Sequence, residues 1–177
     1  MNKYVVKLSK NKTTLILVAL LVFMLAFVKS LIFIAALLLA NIIIGLIIRP
    51  FKYVLAGIEI VTLITIVTSF AYGSLAGVIV GTIALIIAFI AIARFTPRAL
   101  IFIPTMMILA WIAPFFSALG VTAVGIGAAI AYNFVVLLSI VFLGGDLPKG
   151  IIYIIINIAF NIFLFTAIAP GLLRAMG

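Results

Sequence analysis

Few side chains in this sequence are suited to catalysis, and most of its polar groups lie singly within apolar runs. The 177 residues include two acids, Glu59 and Asp146, and contain neither histidine nor cysteine. General acid–base, nucleophilic and metal-ion catalysis therefore lack their usual groups, and disulfides are excluded. We expect a protein that is not an enzyme and that uses no cofactor and no bound metal.

Glu59 is the polar residue with the strongest functional implication. It lies about six residues inside an apolar stretch, which at ~1.5 Å per residue places it roughly 9 Å deep if that stretch is a membrane helix. An ionised carboxylate at that depth needs a cation, a water-filled cavity or a bound proton. The position of Glu59 therefore predicts a ligand-binding or ion-pairing role.

Other polar and amphipathic side chains lie in the apolar stretches, and Asn41 and Asn157 are expected at a depth similar to that of Glu59. Such groups cost free energy in lipid unless they face protein or water. One interpretation is interhelical hydrogen bonding, and the other is a ligand-binding site. For the second we predict the residues Asn41, Glu59, Trp111, Tyr132, Asn133, Asn157 and Asn161.

The composition of the chain indicates the solvent in which it folds. Hydrophobic residues make up 69% of it, charged residues 7%, and the mean hydropathy is +1.66. A soluble domain of this size could not cover such a core, whereas apolar runs of about 20 residues suit a bilayer. We expect an all-α, polytopic transmembrane helical bundle. Its net charge of +9 is distributed between the apolar runs, so we expect no nucleic-acid partner.

Helix-breaking residues and cations divide the chain into seven apolar segments, which we predict to be seven membrane spans. Six spans are the alternative, because the first two segments are separated only by Lys29 and Ser30. That connection is either a tight hairpin or part of one long helix. The predicted segments are Thr14–Val28, Leu31–Ile48, Tyr53–Tyr72, Leu75–Ala93, Ala99–Ser117, Val121–Leu143 and Ile151–Leu172.

The distribution of cations favours seven spans with a cytoplasmic N-terminus. In that topology the cations of the N-terminal tail, and those near Arg49, Arg98 and Lys149, all lie inside, and only Lys29 and Arg174 lie outside. We expect a basic cytoplasmic tail over residues 1–13 and one transmembrane domain over residues 14–173, in a plasma (inner) membrane.

Small residues recur at helical spacing in two of these segments. The sequence SFAYGSLAGVIVG contains three glycines four residues apart, and small residues permit the close backbone approach on which helix association in lipid depends. The stripes serve either internal packing or the docking of another membrane subunit. Their members are Gly73, Gly77, Gly81 and Ala84 in the fourth segment and the turn before it, and Ala123, Gly127 and Ala131 in the sixth.

Two stretches resemble a known family. GIEIVTLITIVTSFAYGSLAGVIVG (Gly57–Gly81) resembles the second-to-third helix region of the substrate-binding S-components of energy-coupling-factor vitamin transporters. The ending IIINIAFNIFLFTAIAPGLLRAMG (Ile154–Gly177) resembles their last helix and that of the similarly folded rod-shape-determining membrane protein D. The resemblance implies a membrane-embedded subunit of a transport complex, with an outer cavity near Trp111, Tyr132 and Asn133 for a small, largely apolar molecule.

The sequence departs from this family in two respects. S-components usually have six spans and a longer polar first loop that closes over the vitamin, and the connections here are too short for such a lid. The alternative function is therefore a structural membrane scaffold that binds other integral membrane proteins and transports nothing.

Overall fold

The computed structural model describes residues 3–51, 57–93 and 97–177, and within these ranges the chain is helical and contains no strand. Short 3-10 segments follow α1 at Arg49–Phe51 and α4 at Ala113–Leu119, and a π-helical segment, Leu164–Ile168, joins α6 to α7. The helices are α1 (Lys3–Ile48), α2 (Val61–Tyr72), α3 (Ser74–Ile92), α4 (Ala99–Ile112), α5 (Gly120–Phe142), α6 (Leu147–Phe163) and α7 (Ala169–Met176).

Four helical stretches of the described chain are long and apolar enough to cross a bilayer. Helix α2 is a shorter apolar helix of 12 residues. The structure thus supports the predicted α-helical membrane protein but does not support seven spans. The four stretches are Phe27–Phe51, Ser74–Ile92, Ala99–Phe142 and Leu147–Met176.

The predicted separation of the first two segments at Lys29 and Ser30 is not observed, because both segments lie in the continuous helix α1. A chain reversal there would need a residue that ends a helix, and the sequence has no glycine or proline between Lys3 and Ile44. The backbone therefore continues its i→i−4 hydrogen bonds through the two polar residues. Residues 3–13, predicted as a separate tail, form the beginning of the same helix.

The chain divides into two compact units, Met1–Ala35 and Ala36–Gly177. The first is helical over its described residues. The second contains the remainder of α1 and all later helices, and its buried side chains form the core of the bundle. Lys52, Tyr53 and Arg94, which contributed to the predicted segment boundaries and topology, lie outside the described residues.

Helices α2 and α3 form a close antiparallel pair joined by Gly73. The φ angle of Gly73 is 90°, a conformation that glycine adopts without a Cβ clash. A Cβ at Gly77 would overlap the Ser69 hydroxyl, and a Cβ at Gly81 would lie 2.5 Å from the Thr65 hydroxyl oxygen. Gly77 and Gly81 of the first stripe therefore pack inside the bundle, whereas Gly73 is exposed in the turn. The Ser69 and Thr65 hydroxyls donate hydrogen bonds to carbonyl groups of their own helix.

Helix α5 packs against α2, and α6 packs against α5. Together α5 and α6 carry the buried asparagines of the second half of the chain, Asn133, Asn157 and Asn161. Gly125 of α5 allows the ring of Phe165, in the π-helical segment, to lie directly against the α5 backbone. Phe165 is fully buried, and its carbonyl oxygen accepts a hydrogen bond from the Thr122 hydroxyl at 2.9 Å. This contact fixes the end of α6 against α5.

Candidate functional site

Glu59 lies in a short non-helical stretch, residues 57–60, that leads into α2. The Glu59 side chain is only 7% exposed. Gly57 brings this stretch against α6, since a Cβ there would lie 2.6 Å from the Tyr153 carbonyl oxygen and 2.8 Å from the Asn157 backbone nitrogen. Non-helical backbone inside a membrane bundle must find its hydrogen-bond partners within the protein.

Asn157 supplies one such partner and is the centre of a buried polar cluster. Its Nδ2 donates to the Gly57 carbonyl oxygen at 2.9 Å and to a Glu59 carboxylate oxygen at 3.3 Å. Its Oδ1 accepts hydrogen bonds from Nδ2 of Asn133 at 2.6 Å and from Nδ2 of Asn161 at 3.2 Å. We call Asn133, Asn157 and Asn161 the asparagine cluster; all three are buried. The cluster ties α5 and α6 to the stretch that carries Glu59.

Glu59 also lines a cavity of about 290 Å³ in the second unit, which we call the Glu59 cavity. Most of its lining is apolar, and the aromatic rings are neighbours of one another. The ring centroid of Phe102 lies 6.5 Å from that of Phe89 and 5.8 Å from that of Tyr132. Tyr153 of α6 also lines the cavity and shares a side-chain hydrogen bond with Tyr132. The Glu59 carboxylate therefore faces a mostly apolar cavity whose lining includes four aromatic rings.

The first turns of α6 and the residue before α4 contribute charged side chains to the same cavity. Arg98 Nη2 donates to the Gly144 carbonyl oxygen at 2.5 Å, and Lys149 forms an ion pair with Asp146. Asp146 also accepts a hydrogen bond from the Lys149 backbone nitrogen at 3.1 Å and so caps α6. Hydrogen bonds from Lys149 hold the pKa of Asp146 below its usual range. We call Arg98, Asp146 and Lys149 the charged end of the cavity.

The structure brings most of the predicted ligand-binding residues together. Glu59 contacts the asparagine cluster, so four of the predicted side chains are joined by direct hydrogen bonds. Tyr132 lines the Glu59 cavity. The contact between Asn157 and Glu59 spans 98 residues of sequence, and no pattern along the chain specifies it.

Two of the predicted residues lie elsewhere. Asn41 is buried on α1, where its Nδ2 donates to the Ala84 carbonyl oxygen of α3 at 2.8 Å. Trp111, at the end of α4, is 52% exposed, and its carbonyl oxygen accepts a hydrogen bond from the Ser74 hydroxyl at 3.0 Å. Asn41 thus contributes to helix packing, and the cavity that Tyr132 lines is formed without Trp111.

The two small-residue stripes have different environments. Ala84 of the first stripe is fully buried, as are the glycines before it on α3. In the second stripe, Ala123, Gly127 and Ala131 are all exposed on α5, and a Cβ at Gly127 would meet no described atom within 4 Å. The second stripe lines an apolar cavity of about 250 Å³ at the surface of the described bundle.

Sequence reasoning missed several residues that line the Glu59 cavity. Tyr153 precedes Asn157 by four residues and so shares its face of α6, a pattern that identifies it as a neighbour of the site. Phe89 and Phe102 carry no comparable signal, because an aromatic side chain in a membrane helix is equally suited to face lipid. Arg98 was used only for topology, although it also lines the cavity.

Known proteins do not extend this description: no protein-family model matches the chain, and no curated protein or solved structure matches it. The structure is that of an α-helical membrane protein with a cavity that the buried Glu59 lines. The resemblance to S-components stays a prediction from the sequence.

Proposed function

We propose that this protein is the membrane-embedded, substrate-binding subunit of a transport complex, similar in role to an S-component. The observation that carries the proposal is the Glu59 cavity. A buried carboxylate in an apolar bundle lowers the stability of the fold unless a ligand or ion binds to it. The mostly apolar lining suits a small, largely apolar solute.

The non-helical stretch before α2 supports the same function. Substrate sites of membrane transporters are typically built where a transmembrane helix is discontinuous, since unwound backbone and helix ends offer polar groups at membrane depth. Residues 57–60 offer non-helical backbone at the start of α2, and they carry Glu59. Asn157 donates a hydrogen bond to the buried Gly57 carbonyl group, so this backbone finds a partner within the protein.

Partner docking is the second part of the proposal. The exposed stripe of Ala123, Gly127 and Ala131 presents small residues where another transmembrane helix could approach closely. This stripe serves equally the alternative function, a structural scaffold that binds other membrane proteins without transport. The two functions differ in whether the Glu59 cavity binds a solute.

Partner recovery from native membranes in mild detergent tests the proposed function. We expect an ATPase and a transmembrane coupling subunit to co-purify with the chain, and Gly127→Leu to reduce their recovery without lowering thermal stability. Recovery of envelope-synthesis proteins instead would favour the scaffold. Unchanged partner recovery with Gly127→Leu would remove the α5 stripe from the docking surface.

We further propose that six segments cross the plasma membrane, with the end that carries Arg98 and Lys149 in the cytoplasm. The end of α5 and the start of α4 share one end of the bundle through the Arg98–Gly144 contact, and the Ser74–Trp111 contact marks the other. Cations favour the cytoplasmic side of a membrane protein. Three of these six crossings precede Arg98, so in this orientation the first crossing segment, which begins at Phe27, starts outside. The predicted cytoplasmic N-terminus therefore belongs to the seven-span topology.

Single cysteines test this orientation cleanly, because the chain has none of its own. Ser117 and Leu143 are both exposed, at opposite ends of α5 and its preceding turn. In intact cells, we expect Ser117→Cys to react with a membrane-impermeant maleimide and Leu143→Cys to react only after permeabilisation. The reverse pattern would invert the proposed topology, and labelling of both from outside would contradict a crossing by α5.

A further inference from the structure

The composition of the Glu59 cavity indicates the chemical class of its ligand. We infer that the cavity binds a protonated organic amine with a hydrocarbon body, whose ammonium group lies at Glu59 and whose body lies against the aromatic side chains. This inference rests on the proposed function, because it names the substrate class of the same site.

In the part of the chain that the structure describes, Glu59 has no ion-pair partner. Among the described residues, the hydrogen-bond partner of its carboxylate is Asn157, at a long distance of 3.3 Å, and the ion pair of this region joins Lys149 to Asp146 instead. A buried carboxylate is strongly destabilising unless a cation or several hydrogen bonds compensate it. A ligand ammonium group would supply both the charge and the N–H donors.

The basic side chains of the cavity are engaged with the protein. Arg98 donates to the Gly144 carbonyl oxygen, and the Lys149 ammonium group forms an ion pair with Asp146. A Cβ at Gly145 would lie 2.8 Å from Arg98 Nη2, so the loop before α6 packs directly against the guanidinium group. These contacts hold both cations at the charged end of the cavity. Among the cavity-lining residues that the structure describes, Glu59 is then the charged group without an ion-pair partner.

The aromatic lining of the cavity suits a cationic ligand. The electron-rich faces of aromatic rings attract cations, and this attraction is strongest where the site is desolvated. Phe102 stands between Phe89 and Tyr132, and Tyr153 completes the aromatic part of the lining. A cavity of about 290 Å³ has room for an amine with a single ring or a short hydrocarbon chain.

Three probes that share one ring and differ in charge test the inference on the unmodified protein. Benzylamine is cationic at neutral pH, benzyl alcohol is neutral, and benzoate is anionic. Binding to the full chain in lipid nanodiscs is measured by saturation-transfer NMR and by isothermal titration calorimetry. We expect benzylamine to bind at least about tenfold more tightly than either other probe. Equal binding of all three, preference for benzoate or benzyl alcohol, or no binding of benzylamine would overturn the inference.

Substitutions then locate the discriminating group. Glu59→Gln keeps the shape and removes the charge, so we expect it to weaken benzylamine binding about tenfold and to leave benzyl alcohol binding nearly unchanged. Thr105→Val is the matched control, because it also removes one polar group isosterically, but from a side chain bonded to its own helix at Ile101. If Glu59→Gln retained the preference for benzylamine, the ammonium site would not be Glu59.

The inference and the proposed function fail in different ways. Co-purification of a coupling subunit and an ATPase together with preferential binding of benzoate would leave the transport function and overturn the ligand class. Preferential binding of benzylamine without any coupling partner would leave the ligand class and overturn the transport function.

Discussion

Replacing Gly77 with leucine is expected to prevent stable folding of the bundle. A Cβ at this position would overlap the Ser69 hydroxyl and would lie 2.8 Å from Ser69 Cβ and 2.9 Å from Ser69 Cα. The Ser69 hydroxyl is itself bonded to the Thr65 carbonyl oxygen, and Cα cannot move without moving α2. Because overpacking a close core contact costs about 1–3 kcal/mol for added methylene groups, a whole leucine side chain should cost more than about 3 kcal/mol.

The measurement is the free energy of unfolding in mixed detergent micelles, with two companion variants. Gly77→Ala should lose about 1–3 kcal/mol, since even a methyl group pushes α3 away from α2. Gly127→Leu is the matched control on α5, because a Cβ there would meet no described atom within 4 Å, and it should keep nearly full stability. Equal stability of Gly77→Leu and Gly127→Leu would contradict the close packing of α2 on α3.

Asn157→Leu is expected to cause the next largest loss of stability. The substitution removes the hydrogen bonds to the Gly57 carbonyl oxygen and Glu59, and it removes the side-chain acceptor that Asn133 and Asn161 share. These two amides keep their bonds to the carbonyl oxygens of Ala129 and residue 157. Side-chain hydrogen bonds in membrane proteins contribute about 0.6 kcal/mol each on average, so losing four should cost about 2–3 kcal/mol.

Asn41→Leu is the natural comparison, because Asn41 is equally buried but is seen to make one hydrogen bond, to Ala84. We expect it to cost roughly 1 kcal/mol or less. Glu59→Leu should cost about 1–3 kcal/mol, and combining it with Asn157→Leu should cost less than the sum, since the two side chains share a contact. Additive losses, or a smaller loss for Asn157→Leu than for Asn41→Leu, would show that the asparagine cluster does not stabilise the bundle.

The helical membrane class could be predicted from composition, and most helix ends from local breakers. The sequence placed the turn between α2 and α3 at Gly73, where the structure has a positive φ angle. The predicted division at Lys29 was wrong because it depended on the alternation of cations between the two sides of a membrane. A helix ends where its backbone hydrogen bonds are interrupted, and neither Lys29 nor Ser30 interrupts them.

The candidate site was predictable only in part. Asn157 and Asn161 are four residues apart, so their common helix face follows from the sequence. That Asn133 meets this face from α5, and that Glu59 reaches it from the non-helical stretch before α2, does not follow. Asn41 carries the same side chain at a similar predicted depth, yet it bonds to α3 instead.

The amino-acid sequence alone indicates that the protein folds in lipid, that it is helical and which few polar groups lie in its apolar segments. This is because transfer into lipid and hydrogen bonding within a helix depend on residues that are close together in the sequence. Tertiary structure alone decided which polar groups meet and which small-residue stripe is covered. The stripes on α3 and α5 have similar spacing, but the first is closed by Ser69 and Thr65 and the second is open. The difference arises because all the neighbours of a helix together set its rotation about its axis. A contact such as that between Glu59 and Asn157 forms only when those rotations are fixed.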